Sequence, residues 1–227
     1  GSEHVSVGAY PWAHRFDPRT TRAARLGCVD PCGCGGVFCM HLIAILAAGQ
    51  SLRFGTQDKL SADINGVPML RRVCDMALQA GGDEVAVFPS RPRLAASVPA
   101  RASVHFVEEG QPFSTRLHAV ATYADFVGAY SVTLVLGDMP YMQAAHLRQL
   151  RHMCPEHGGA RTVLHGAPNT YSGVPVCLKG DQIDLLRHAQ NDRGLVDLWP
   201  RVARSVDLPA PSEMLRDIDR VSDIKAG

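Results

Sequence analysis

Two loops, far apart along the chain, carry the residues that could do chemistry. In the first, Leu46, Ala47, Ala48 and Gly49 follow an apolar run, and Arg53 and Lys59 stand further along the same loop. Small residues directly after a buried strand let the backbone approach a ligand closely, and their N–H groups can face a base or phosphate oxygens. Two cations in one loop suit a triphosphate, whose charge must be neutralised while phosphorus is attacked. The loop is neither a P-loop nor a G-x-G-x-x-G fingerprint. The competing reading is a surface turn with two solvated basic residues. In the second loop, Leu136-Gly137-Asp138-Met139-Pro140, a carboxylate is fixed between a glycine and a proline-containing turn. That suits magnesium, which takes one or two carboxylates plus substrate phosphates and water. The alternative is an aspartate capping the helix that starts near Gln143 or Ala144.

Other candidates are weaker. The ten histidines show no zinc-type pairing; His152, Cys154 and His157 lie close in sequence and read as surface residues. Cys28, Cys32, Cys34 and Cys39 form one continuous arm, whereas thiolate zinc sites use two separated arms around a tetrahedral ion. Incidental thiols are the favoured reading there, a metal site the other. Cys74, Cys154 and Cys177 are scattered singly and suit a reducing cytoplasm rather than a disulfide framework.

The elements that must position the two loops alternate in type. Residues 41–47 form a continuous apolar run, as expected of a parallel strand buried on both faces. Further strands are predicted at 84–89, 104–107, 131–136, 161–164, 174–178 and 206–208. Helices are predicted at 68–80, 115–123, 144–153, 182–189 and 195–203, with a short final one opening at Val221. This alternation implies a three-layer α/β/α sandwich with a mainly parallel, Rossmann-like sheet. Ligands of such sheets bind beyond the carboxyl ends of the central strands, where both loops fall. Residues 3–39 show no clear period and are read, after a Gly1-Ser2 tag remnant, as a flexible extension. The domain is expected to run from Met40 to the end of the chain.

Composition excludes some classes. At 46% hydrophobic and 20% charged the chain reads as a globular α/β protein. A formal net charge of +1 gives no field to hold a polyanion, so a nucleic-acid partner is set aside. The longest apolar stretch, residues 37–48, is too short to span a bilayer, so no membrane partner is expected.

Taken as a string, the first loop resembles the signature L-A-[AG]-G-x-S-x-R-[MF]-G-x-x-K of the MobA-like nucleotidyltransferases, with three residues rather than two between Gly55 and Lys59. The Gly-Asp-Met-Pro turn matches that family without change. The resemblance runs in order from about Met40 to Ile224. It implies a sheet of the nucleotide-diphospho-sugar transferase type, with Leu46, Ala47, Ala48, Gly49, Arg53, Lys59, Glu109 and Ser114 binding nucleotide. It further implies that Arg53, Lys59 and Asp138 are catalytic. Asp217-Ile218-Asp219 resembles a segment whose second acidic residue is a metal ligand, so Mg²⁺ would be held by Asp138 and Asp219. Asp219 reads equally well as a helix N-cap. Glu108-Glu109-Gly110 with Ser114 and Arg116 falls where relatives place a loop near the base. Asp192-Arg193-Gly194 and Asn169 to Pro175 resemble acceptor-side segments, with Val174 where the family writes His.

The reaction so implied moves a nucleoside monophosphate from an NTP onto a phosphorylated small-molecule acceptor such as molybdopterin, with release of pyrophosphate. L-A-A-G with G-D-M-P looks more like the molybdenum cofactor cytidylyltransferase branch. CTP is therefore favoured over GTP, and a delivery partner enzyme would receive the product. A methyl group at Ala48 against the base discriminates by only about 1–3 kcal/mol. The competing readings are a sugar-1-phosphate nucleotidyltransferase and a non-catalytic nucleotide-binding regulatory module. The transferase readings require Lys59 and Asp138 to share one cleft, whereas a mere binder need not keep the metal ligand.

Overall fold

The structure, a computed structural model, describes residues 39–47, 58–166, 172–192, 194–216 and 218. Nine strands are described: β1 His41–Leu46, β2 Asp63–Ile64, β3 Val67–Pro68, β4 Glu84–Val87, β5 Ser103–Val104, β6 Ser131–Leu136, β7 Gly159–Leu164, β8 Ser172–Lys179 and β9 Ser205–Ala210. The α-helices are α1 Met69–Ala80, α2 Phe113–Phe126, α3 Ala144–Met153 and α4 Gly194–Leu198. Seven strands form one sheet in the order β5-β4-β1-β6-β8-β7-β9. β1 is parallel to β4 and β6, β4 to β5, and β7 to β9.

The alternation along β1 explains why its sequence is apolar throughout. Leu42, Ala44 and Leu46 join the core on one face, with α2 and α4. Ile43, Ile45 and Ala47 join the core on the other, with α1 and α3. A strand covered on both faces has no side free for polar residues. The expected three layers are therefore present. On α1, Met69, Leu70, Val73, Cys74 and Ala77 are buried at helical spacing, and Gly81 ends the helix at φ 79°. That left-handed conformation is available to glycine because it lacks a Cβ.

The structure departs from the sequence expectation in particulars, each with a physical cause. β8 runs antiparallel to both β6 and β7. The connection between β7 and β8 is too short for a crossover helix, so the two strands must pair as a hairpin. The helix expected at 195–203 stops at Leu198 and passes into a 3₁₀ turn, Trp199–Arg201. Pro200 has no N–H, and its ring clashes with the preceding turn of an α-helix. The segment expected at 182–189 is a 3₁₀ helix, Gly180–His188. Its buried Ile183 and Leu186 stand three residues apart, the spacing of one such turn. The strand expected at 104–107 runs over Ser103–Val104, beyond which the His105 and Val107 N–H groups still donate to the Val87 and Pro89 carbonyls. A small hairpin, β2–β3, was not expected; Asn65 and Gly66 turn it at φ 53° and 84°. An Asn-Gly pair is the usual signal for such a turn. Residues 1–38 and the expected helix at Val221 lie outside the described residues. Among the described residues, no helix is long and apolar enough to cross a membrane.

Candidate active site

The sheet order reverses direction between β1 and β6. The chain goes from β1 outward to β4 and β5, then returns to β6 on the other flank of β1. In open α/β sheets ligands bind in the crevice beyond the carboxyl ends of the strands at such a switch point. Leu46 and Leu136 end these strands as register partners. The Gly137 N–H donates to the Leu46 carbonyl at 3.1 Å, so the pairing continues into the loops. Backbone meets backbone here: a Cβ on Gly137 would stand 3.3 Å from the Cα of Ala47 and 3.4 Å from Leu70 Cδ1. A side chain at Gly137 would push the two loop tips apart, which accounts for the glycine that the sequence places there.

Lys59 and Asp138 meet across this crevice. Lys59 Nζ donates to Asp138 Oδ2 at 2.9 Å, with side chains only 9% and 18% exposed. Asp138 Oδ1 is buried and has no hydrogen-bond partner. Leaving a buried carboxylate oxygen unsatisfied is unfavourable, so this oxygen is available to a ligand. A divalent cation fits the donor: it is a hard ion that takes carboxylate oxygens. The helix-cap alternative for Asp138 fails, because α3 is preceded by Gln143 and has no side-chain cap. The Ile218 N–H reaches the Asp138 carbonyl at 3.5 Å, which brings the C-terminal segment to the same turn.

Lys59 stands on a 3₁₀ turn, Lys59–Ser61, capped by Asp58, whose Oδ1 accepts the Leu60 N–H at 3.1 Å. The loop after β4 reaches back to the same carboxylate. Arg91 Nη1 and Arg93 Nε donate to Asp58 Oδ2 at 3.1 and 3.3 Å. Arg91 Nε also donates to Glu109 Oε1 at 2.7 Å. The hydrogen bond to Glu109, and after it the contact with Asp58, raises the Arg91 pKa, so its charge is held firmly.

The remaining expected residues fall as follows. Leu46 and Ala47 are buried at the end of β1. Glu109 is exposed and tied to Arg91. Ser114 is buried in the first turn of α2, and its N–H donates to the Asn191 carbonyl. Asp192 Oδ1 accepts the Phe113 N–H at 2.9 Å, so the expected acceptor-side turn also starts α2. Arg116 is buried in the same region, with Nε unpartnered and Nη1 3.4 Å from the Gln111 carbonyl. Burial lowers its pKa, and the nearby Asp192 charge opposes that shift. Ala48, Gly49, Arg53, Asp219, Arg193 and residues 169–171 lie outside the described residues. His157 pairs with Asp181 at 3.1 Å, and Cys154 is buried. Among the described residues there is no cluster of three or more His, Cys, Asp or Glu side chains able to hold a metal. Asp58 and Arg91 were missed as neighbours of the site. Their signal was position, since charged residues beyond a parallel strand's carboxyl end face the crevice.

A mainly parallel sheet with a basic and an acidic residue meeting at its switch point is an α/β arrangement suited to holding a ligand there. Residues 43–206 match the model of the MobA-like NTP transferase domain, and the chain belongs to that family of nucleotidyltransferases. A bifunctional protein GlmU of Pseudomonas paraeruginosa is 34% identical over 140 residues, covering 58% of this chain and 30% of that protein. A probable molybdenum cofactor guanylyltransferase of Natronomonas pharaonis is 33% identical over 119 residues, covering 51% of this chain and 58% of that one. The chain thus spans less than two thirds of either relative. Among solved structures, Rv0371c of Mycobacterium tuberculosis superposes with a TM-score of 0.66 at 23% identity, covering 82% of this chain and 96% of that one. A manganese complex of Rv0371c matches at a TM-score of 0.61 and 21% identity, covering 76% and 88%. At these identities the structures speak to the fold.

Proposed function

We propose that the protein transfers a nucleoside monophosphate from an NTP to a phosphorylated small molecule, molybdopterin being the favoured acceptor, and releases pyrophosphate. The observation that carries this reading is the Lys59–Asp138 pair at the β1–β6 switch point, with one carboxylate oxygen left unbonded. Asp138, with Asp219, would hold a divalent cation, magnesium in our reading; when bound it supplies charge neutralisation and orientation at the triphosphate. Lys59 and Arg53 stabilise negative charge on the phosphates, and the small residues Ala47, Ala48 and Gly49 let the nucleotide lie against the backbone. The attacking acceptor phosphate is already anionic, so no general base is needed. Catalysis is then a matter of positioning and charge.

CTP is favoured over GTP because L-A-A-G with G-D-M-P resembles the cytidylyltransferase branch, although the Natronomonas relative is named a guanylyltransferase. The product would pass to a partner enzyme in the cytoplasm. A pyrophosphate-release assay with molybdopterin and each NTP in turn, with and without Mg²⁺, tests the whole reading. Turnover with CTP and Mg²⁺ supports it. Turnover with GTP alone overturns the base preference, and turnover without a divalent ion overturns the metal assignment.

A further inference from the structure

Asp58 precedes Lys59 and does more than a helix cap requires. A cap needs one oxygen, and Oδ1 serves that purpose on the Leu60 N–H. The second oxygen accepts from two guanidinium groups of another loop, Arg91 at 3.1 Å and Arg93 at 3.3 Å. The Asp58 side chain is 3% exposed, and a carboxylate so buried persists as an anion only when it is paired. The turn is fixed on both flanks of Lys59. The Asp58 carbonyl accepts from Ser61 at 3.0 Å, the Lys59 carbonyl from Ala62 at 3.1 Å, and the Ala62 carbonyl from Met69 at the start of α1 at 2.9 Å. Lys59 is itself buried, so a small rotation of this turn would move its ammonium away from the crevice.

We propose that Asp58 is a positioning residue: clamped by Arg91 and Arg93, it fixes the turn from which Lys59 reaches the triphosphate. Arg91 also holds Glu109, so the loops after β1, β4 and β5 are tied at one point. The proposal rests on the reading of Lys59 as a phosphate-binding group.

The test is a double-mutant cycle on the full chain, read as the Kd of CTP and of GTP with Mg²⁺ by calorimetry, with the thermal midpoint measured alongside. Asp58→Asn keeps an acceptor for the Leu60 N–H and removes the charge that the arginines hold. It should raise the nucleotide Kd about tenfold, because a misplaced contact loses much of its effect. On a Lys59→Ala background the same substitution should change Kd by less than about twofold, since a residue acting through another has nothing left to act on. An equal loss on both backgrounds overturns the proposal, because a general structural effect would add. A Kd for Asp58→Asn equal to the wild type also overturns it. If Lys59→Ala binds nucleotide as the wild type does, the phosphate reading of Lys59 fails and the proposal falls with it. Should Asp58→Asn not fold, Arg91→Ala, which leaves Asp58 paired with Arg93, runs the same cycle with the same criteria.

Discussion

At the amino end of the β1–β6 pair, the His41 ring lies between two hydroxyls, Nδ1 2.7 Å from Ser131 Oγ and Nε2 3.3 Å from Thr133 Oγ1. At the carboxyl end of the same two strands, Lys59 meets Asp138 and one carboxylate oxygen is left without a partner. Both ends bury polar groups between the same strands. The first satisfies its ring completely and keeps it neutral: burial, and after it the charges of Arg151 and Lys179, pushes the His41 pKa down to about 3. The second carries charge and leaves a bonding position open. A closed polar network specifies and stabilises a fold, whereas an open one costs stability unless a ligand completes it. On the proposed function, the comparison separates a group that holds the sheet together from groups that would meet a substrate.

Substitutions should break this contrast in opposite directions. Asp138→Asn keeps an acceptor for Lys59 and removes the charge. We expect turnover, measured as pyrophosphate release, to fall by at least about 100-fold while the thermal midpoint stays near that of the wild type. Asp138→Ala is the poorer probe, because it leaves the buried Lys59 without this partner. At the other end, His41→Ala leaves two buried hydroxyls short of a partner and opens a cavity. It should lower stability by about 2–4 kcal/mol in urea unfolding while the folded fraction keeps its specific activity. An equal loss of activity in both variants would show that the two ends are not separate in role.

Two smaller effects sharpen the comparison. His41 titrates near 3 in the folded chain, and His105, mainly through burial, near 4. Both lie below the ordinary 6.5, so the unfolded chain binds more protons in between. The stability they support is complete above about pH 6.5 and declines as pH falls toward 4 and 3, by up to about 1.4 kcal/mol per pH unit for His41. Urea midpoints between pH 7 and pH 5 should show that decline, and His41→Leu should flatten it. Last, Gly137→Ala forces a methyl group to within 3.3 Å of the Ala47 Cα. Spreading the loop tips by a few tenths of an ångström should reduce kcat about tenfold, with little change in the urea midpoint.

Much of the sheet could be read from the chain alone. The apolar run of β1, the Val-Thr-Leu-Val-Leu stretch of β6 and the helical spacing of α1 follow from burial on one or both faces, which the order of residue types records directly. The small residues after β1 and the Gly-Asp turn after β6 marked two candidate loops. The antiparallel placement of β8 was not read from them, although the short β7–β8 connection implied it. Nor could the sequence separate 3₁₀ from α geometry at 180–188, since both bury residues three apart.

What the sequence determined by itself was the set of elements and the chemical types at their ends, because hydrophobic period and backbone preference are local properties. Only the tertiary structure decided that Lys59 and Asp138, seventy-nine positions apart, touch. It alone decided that Arg91 clamps Asp58 and that one oxygen of Asp138 stays unbonded. Such pairings depend on strand order and register, which are set by packing the whole sheet at once.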